Sequence, residues 1–94
     1  MTTTCRLERR LIINNKLGLH ARAAVKLVEL AKQFSASITL SHGDKQASAS
    51  SVLGLLVLES HKGQAITLIT EGEDAGPAMA AIAQLITDKF DEGE

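Results

Sequence analysis

A nine-residue segment, KLGLHARAA at positions 16–24, holds the side chains best suited to chemistry. His20 follows a glycine-containing loop, and Arg22 comes two residues after it. An imidazole nitrogen is a competent nucleophile near neutral pH. A guanidinium is a permanent cation whose planar donors match phosphate oxygens. The chemistry that these two residues could perform together is phosphoryl transfer to His20, with Arg22 stabilising the transferred group.

The residues after His20 have helical spacing, which puts this histidine at the start of a helix. The first backbone N–H groups of a helix, here those of Ala21 and Arg22, have no acceptor within it, and the helix dipole adds positive charge at this end. Such an end binds anions, phosphate above all. Position alone leaves a second interpretation open, because a single histidine in a loop is usually an ordinary polar surface residue.

The other histidines do not suggest a second reactive site. His42 falls in a predicted turn and His61 in a predicted loop, and Cys5 is the only cysteine. Zinc sites need several close histidine or cysteine ligands, so we expect no metal, and nothing in the sequence requires a cofactor. The G-x-S-x-G pattern of a serine hydrolase is absent, although counting residues does not exclude a Ser/His/Asp triad.

Length and composition fit one small domain over residues 1–94. Hydrophobic residues make up 45% of the chain and the formal net charge is −1, so no basic excess favours nucleic acid. The sequence contains neither a signal-peptide core nor an apolar run of about 18–20 residues that could span a membrane. A lone cysteine cannot form an internal disulfide. We therefore expect a cytoplasmic protein that binds neither nucleic acid nor membranes.

Apolar residues alternate with polar ones in four segments and recur at helical spacing in three others. The run at residues 52–58 fits either a buried strand or a short helix, and the serines before it favour a helix because a serine hydroxyl can cap a first turn. Asp74 is the predicted N-cap of the last helix. The predicted strands are residues 5–13, the segment around Ile38 and Leu40, residues 46–49 and residues 65–70, and the predicted helices are residues 21–34, 52–58 and 75–90.

This order, βαββαβα, predicts an α+β fold. Strands with one apolar face and amphipathic helices build an open-faced two-layer sandwich, in which three helices cover one side of a four-stranded antiparallel sheet. The other face of the sheet is expected to meet water.

Three segments resemble HPr, the histidine-containing phosphocarrier family of the bacterial phosphotransferase system. The segment NKLGLHAR at 15–22 is similar to the active-site signature of that family, and QASASSVLGL at 46–55 is similar to its second signature. The turn EGED at 71–74 resembles the family's entry into the last helix. The resemblance extends from about residue 6 to residue 90. The opening NKLG at 15–18 and the stretch LLVLESHKG at 55–63 look most similar to the nitrogen-related branch.

The resemblance implies that His20 accepts a phosphoryl group on Nδ1 from Enzyme I, which obtains it from phosphoenolpyruvate, and passes it to an Enzyme IIA protein. Arg22 matches the arginine that assists the phosphate. Ser51 matches a regulatory serine that a dedicated kinase modifies in some members, and it is also a natural helix cap. Ala23 stands where the family usually has proline, and we expect the helix to form there all the same, because alanine is an excellent helix former.

The resemblance also implies that the first two helices form the face that meets both partners. We expect an apolar patch beside His20, surrounded by cations that steer brief encounters. The residues assigned to this face are Lys26, Lys32, Val52, Leu53 and Leu56, and we expect the protein to be a monomer.

Two rival functions remain open. One is a regulatory module of the same fold that binds a target protein without transferring phosphate, and the other is a carrier of the sugar branch that serves carbohydrate uptake. A small independent enzyme is disfavoured, because the chain offers few paired acid–base groups and little room for a cleft.

Overall fold

The computed structural model describes residues 5–58 and 60–91, and their element order is the predicted βαββαβα. The last helix is followed by a short 3₁₀ turn at Lys89–Asp91. In chain order the elements are β1 (Cys5–Ile12), α1 (Ala21–Ala31), β2 (Ser37–His42), β3 (Lys45–Ser48), α2 (Val52–Val57), β4 (Ala65–Gly72) and α3 (Ala75–Thr87).

The four strands form one antiparallel sheet in the order β1-β4-β2-β3. Along β4, Ile66, Leu68 and Thr70 are buried, while the residues between them are partly exposed. This alternation shows that one face of the sheet is covered by the helices and the other is open. The α+β class and the open-faced arrangement are therefore confirmed.

The core lies between the covered face of the sheet and the three helices. Each layer contributes fully buried aliphatic side chains, among them Leu40 and Leu68 from the sheet. Burial of such side chains is the main favourable term in folding. From the helices come Leu27, Leu55 and Ile82. Within the described part of the chain, no helix has the length and apolar character needed to cross a membrane.

Both long helices end earlier than predicted. Helix α1 was expected to reach Phe34, but its regular part stops at Ala31, and tighter bonds from Gln33 N–H to Leu30 O and from Phe34 N–H to Ala31 O complete the turn. Helix α3 was expected to reach Phe90 but ends at Thr87. Phe90 is nevertheless fully buried, because the chain turns back through a left-handed segment.

Asp74 lies at the predicted N-cap position of α3, but its side chain does not cap that helix. Its Oδ2 atom instead accepts a hydrogen bond from Ser35 N–H at 2.7 Å, and Asp74 N–H donates to Ser35 O at 3.0 Å. This reciprocal pair joins the turn after α1 to the turn before α3, so the carboxylate connects two loops.

Candidate functional site

His20 is the N-cap residue of α1, with extended backbone angles of φ −92° and ψ −179°. Its carbonyl oxygen accepts the hydrogen bond from Ala24 N–H at 2.9 Å that opens the helix. Its side chain is partly exposed and makes no capping hydrogen bond to the first turn. His20 therefore occupies the N-cap position at the amide-rich end of α1, while its imidazole makes no hydrogen bond to the amides of the first turn.

The loop before His20 is fixed by Gly18. This residue has φ +68°, and a Cβ atom there would lie 2.5 Å from the carbonyl oxygen of Ser60. The neighbouring Leu19 N–H donates to that same oxygen at 2.9 Å. On its other side, the Gly18 carbonyl accepts from the Nδ2 of buried Asn15 at 2.7 Å. Only a glycine allows this close approach of two backbones.

The start of the loop contacts the same neighbouring segment. Ile13 N–H donates to Gln64 O at 2.9 Å, and Gly63 N–H donates to Ile13 O at 2.7 Å. Residues 60–64 therefore hold both ends of the loop that carries His20. Sequence analysis did not assign Asn15 or Ser60 to the site. For Asn15 the available signal was its place next to Lys16 and Leu17 in the family signature.

The electrostatics of the site favour an anion. Ala21 and Arg22 occupy the exposed first turn, which contains no acidic residue. The Arg22 guanidinium makes no ion pair with any residue in the described ranges. Ala23 is fully buried and the helix begins at Ala21, so the expectation that α1 forms without the family proline is confirmed. The guanidinium and the helix end can both stabilise a phosphoryl group.

The two lysines predicted for partner docking lie away from His20. Lys26 Nζ donates to Phe90 O at 2.7 Å, which ties α1 to the turn after α3. Lys32 is the exposed C-cap of α1, and at 1.5 Å per residue it is about 18 Å from His20 along the helix axis. Of the cations on α1, Arg22 in the first turn is therefore the one nearest to His20 along the helix.

The apolar residues predicted for docking separate into two groups. Val52 and Leu56 are partly buried and pack on the core, whereas 76% of Leu53 is exposed. Two apolar residues that the sequence analysis did not assign to docking are also exposed, Leu17 at 65% and Val57 at 62%. Leu53 and Val57 are four residues apart and share one face of α2. Leu17 adjoins Gly18, which contacts the segment after α2.

Ser51 is the N-cap of α2, as its sequence position predicts. Its Oγ atom accepts a hydrogen bond from Gly54 N–H at 3.0 Å, and the residue is exposed. Among the described residues, no group of three or more His, Cys, Asp and Glu side chains is arranged to hold a metal ion.

Comparison with known proteins gives a consistent assignment. Residues 7–88 match the family model described as "PTS HPr component phosphorylation site". The phosphocarrier protein NPr of Shewanella violacea is 58% identical over 87 residues, which covers 93% of this chain and 96% of the relative. The phosphocarrier protein HPr of Cupriavidus necator is 43% identical over 88 residues, covering 94% and 99%. The crystal structure of HPr-C-His from Thermoanaerobacter tengcongensis superposes with a TM-score of 0.87 at 37% identity, covering 92% of this chain and 97% of that one.

Proposed function

The chain belongs to the HPr family of phosphocarrier proteins, and we propose that His20 carries a phosphoryl group from Enzyme I to an Enzyme IIA protein. The observation that carries this proposal is the placement of a partly exposed His20 at the N-terminal end of α1, with Arg22 in the first turn of the same helix. Family membership supports the chemistry, and this geometry supports His20 as the residue that performs it.

Transfer proceeds by exchange of one N–P bond for another. The Nδ1 atom of His20 attacks the phosphorus of the phosphohistidine on Enzyme I, the donor N–P bond breaks, and the donor imidazole leaves. The second step reverses the roles, because phosphorylated His20 becomes the donor to Enzyme IIA. No water or metal on this chain takes part, and the chain has no independent turnover.

The N-terminal end of α1 stabilises the phosphorylated state. A phosphoryl group adds about 1.5–2 negative charges, which the amides of Ala21 and Arg22 and the helix dipole partly neutralise. The Arg22 guanidinium contributes charge-assisted hydrogen bonds to the phosphate oxygens. These contacts hold the group between partners without covalent help.

We infer that the docking surface is Leu17, Leu53 and Val57, with Arg22 as its cation. All three apolar side chains are more than half exposed, and α2 packs beside α1. A small apolar patch next to a fixed charge suits a brief, steered encounter, and a carrier must leave each partner.

We place the protein in the nitrogen-related branch. The identity of 58% to an NPr, against 43% to an HPr of similar coverage, supports this branch over sugar uptake. We further propose that the chain works in the cytoplasm as a monomeric single domain. Modification of Ser51 by a serine kinase would add negative charge at the start of α2, beside the docking surface.

The test is incubation with phosphoenolpyruvate and Enzyme I of each branch, followed by mapping of acid-labile phosphate. We expect one phosphoryl group on His20, faster with the nitrogen-branch enzyme, and transfer onward to the Enzyme IIA of that branch. A His20→Ala variant should lose the label, while His61→Ala, which alters an exposed histidine, should keep it. Binding of either partner without label on His20 would instead establish a regulatory module that does not transfer phosphate.

A further inference from the structure

The loop that carries His20 packs against residues 60–64, the segment that follows α2. Ser60 is only 2% exposed, and its carbonyl oxygen both accepts from Leu19 N–H and lies against Gly18. Leu19 immediately precedes His20, so a displacement of the Ser60 carbonyl would move the backbone that presents the imidazole. Whatever fixes Ser60 therefore helps to fix His20.

A second histidine, His42, contacts the residues that fix this segment. His42 was predicted to be a turn residue, but it is the last residue of β2 and partly buried. Its Nδ1 atom lies 2.9 Å from the Leu58 carbonyl oxygen and 3.4 Å from Ser60 Oγ. The tip of the β2–β3 hairpin thereby contacts the residues on which the His20 loop lies.

The contact with Leu58 assigns the donor role to the Nδ1 atom of His42. A carbonyl oxygen only accepts, so Nδ1 carries a proton and donates it to Leu58 O. Ser60 Oγ lies at the outer limit of hydrogen-bond distance and accepts a second, weaker hydrogen bond from the same N–H group. The contact of His42 with the end of α2 therefore depends on a hydrogen-bond donor at the Nδ1 position.

A neighbouring side chain provides an internal comparison. Lys45, which pairs with His42 across the hairpin, donates through Nζ to the Val57 carbonyl at 3.4 Å. Both side chains supply donors to the C-terminal carbonyls of α2, where such donors are favourable. Of these two contacts, the one from His42 also reaches Ser60.

We propose that His42 is a positioning residue for phosphoryl transfer, acting through Ser60 and Leu19 on His20. The expected effect on the rate of His20 phosphorylation rests on the proposed function. The expected effect on the loop that carries His20 does not. Loss of the Nδ1 donor would loosen the Leu19–Ser60 hydrogen bond and broaden the range of His20 orientations. Misplaced nucleophiles react more slowly even when the partner still binds.

Two amide variants distinguish the effect of losing the Nδ1 donor from the effect of losing the volume of the ring. In His42→Asn the side-chain NH₂ occupies the place of Nδ1, whereas in His42→Gln it occupies the place of Nε2. We expect His42→Gln to lower kcat for His20 phosphorylation about fivefold, the worth of one hydrogen bond, at unchanged KM. We expect His42→Asn to stay within about twofold of wild type. Lys45→Gln is the matched control for weakening a donor contact with the Val57 carbonyl at the end of α2.

Amide hydrogen exchange provides a readout that needs no phosphodonor. Leu19 N–H should exchange about tenfold faster in His42→Gln than in His42→Asn or Lys45→Gln. Equal protection of Leu19 in all three variants would overturn the proposal, as would equal kcat losses in His42→Asn and His42→Gln that follow their melting temperatures. If wild type accepted no phosphate on His20, the proposed function would fail, while the exchange data would still decide whether His42 positions the loop.

Discussion

The carbonyl oxygen of Ser60 occupies the space into which any side chain at Gly18 would project, 2.5 Å from the position of its Cβ atom. Gly18 also has φ +68°. Two independent requirements, a left-handed backbone and a close approach of two backbones, therefore meet at one residue, two positions before His20.

Replacement of Gly18 by alanine should be costly for both reasons. The left-handed backbone costs about 1 kcal/mol for a residue with a Cβ atom, and loss of the Leu19–Ser60 hydrogen bond costs about 1 kcal/mol more. We expect Gly18→Ala to lower the free energy of unfolding by about 2–3 kcal/mol and to slow labelling of His20. Urea unfolding and the transfer assay measure the two effects.

Gly43 provides the matched control, since its φ is +62° and no atom lies within 4 Å of its Cβ position. Gly43→Ala should cost only the backbone term of about 1 kcal/mol and leave transfer unchanged. Equal destabilisation by the two substitutions would show that the contact with Ser60 contributes nothing.

Ser51 should have separable roles in stability and in docking. Ser51→Ala removes the acceptor for Gly54 N–H and should cost about 1 kcal/mol. Ser51→Asp keeps an acceptor at the N-cap, so it should retain stability while its charge slows phosphorylation by Enzyme I. Thermal melts and initial transfer rates measure the two roles. Wild-type transfer by Ser51→Asp would argue against a regulatory effect of charge at this position.

The sequence predicts those parts of the molecule that depend on local patterns. The start of α1 directly after His20 and the cap at Ser51 follow from residue types and spacing over a single turn. The contact of Ser60 with Gly18 joins segments that are far apart in the chain, and no local pattern reports it. Phe90 shows a second limit: it continues the helical spacing of Ile86, yet its burial is achieved by a left-handed turn.

The docking residues show why exposure needs the fold. Val52, Leu53 and Leu56 are equally apolar in sequence, and only packing against the core distinguishes the exposed Leu53 from its neighbours. Lys26 has no sequence feature that would predict its bond to Phe90, because a backbone carbonyl has no residue signature.

Asp74 should stabilise the fold without affecting transfer. Its carboxylate accepts from Ser35 N–H at 2.7 Å, a charge-assisted bond between two loops. Asp74→Ala should lower the free energy of unfolding by about 1.5–3 kcal/mol. Its exposed neighbour Glu73 makes no such side-chain hydrogen bond to any residue in the described ranges, so Glu73→Ala should change stability by less than about 0.5 kcal/mol. A urea titration in which both variants unfold at the same midpoint would exclude the connecting role of Asp74.

The two lysines of α1 should differ in what their loss affects. Lys26→Gln removes the ammonium that donates to Phe90 O at 2.7 Å, so it should lower the melting temperature. Hydrogen bonds from a charged donor contribute about 1.5–3 kcal/mol, and each kcal/mol corresponds to about 4–8 °C in a domain of this size.

Lys32 is exposed and lies far from His20 along the helix, so Lys32→Glu should leave the melting temperature unchanged. Its effect on transfer should be a slower association with Enzyme I that is visible near 10 mM salt, where the screening length is about 30 Å, and lost near 150 mM, where it is about 8 Å. Stopped-flow transfer at both salt concentrations, with melts of the same samples, tests the distinction. A salt-independent loss of transfer in Lys32→Glu would mean direct contact with the partner, and an unchanged melting temperature in Lys26→Gln would mean that the bond to Phe90 does not stabilise the fold.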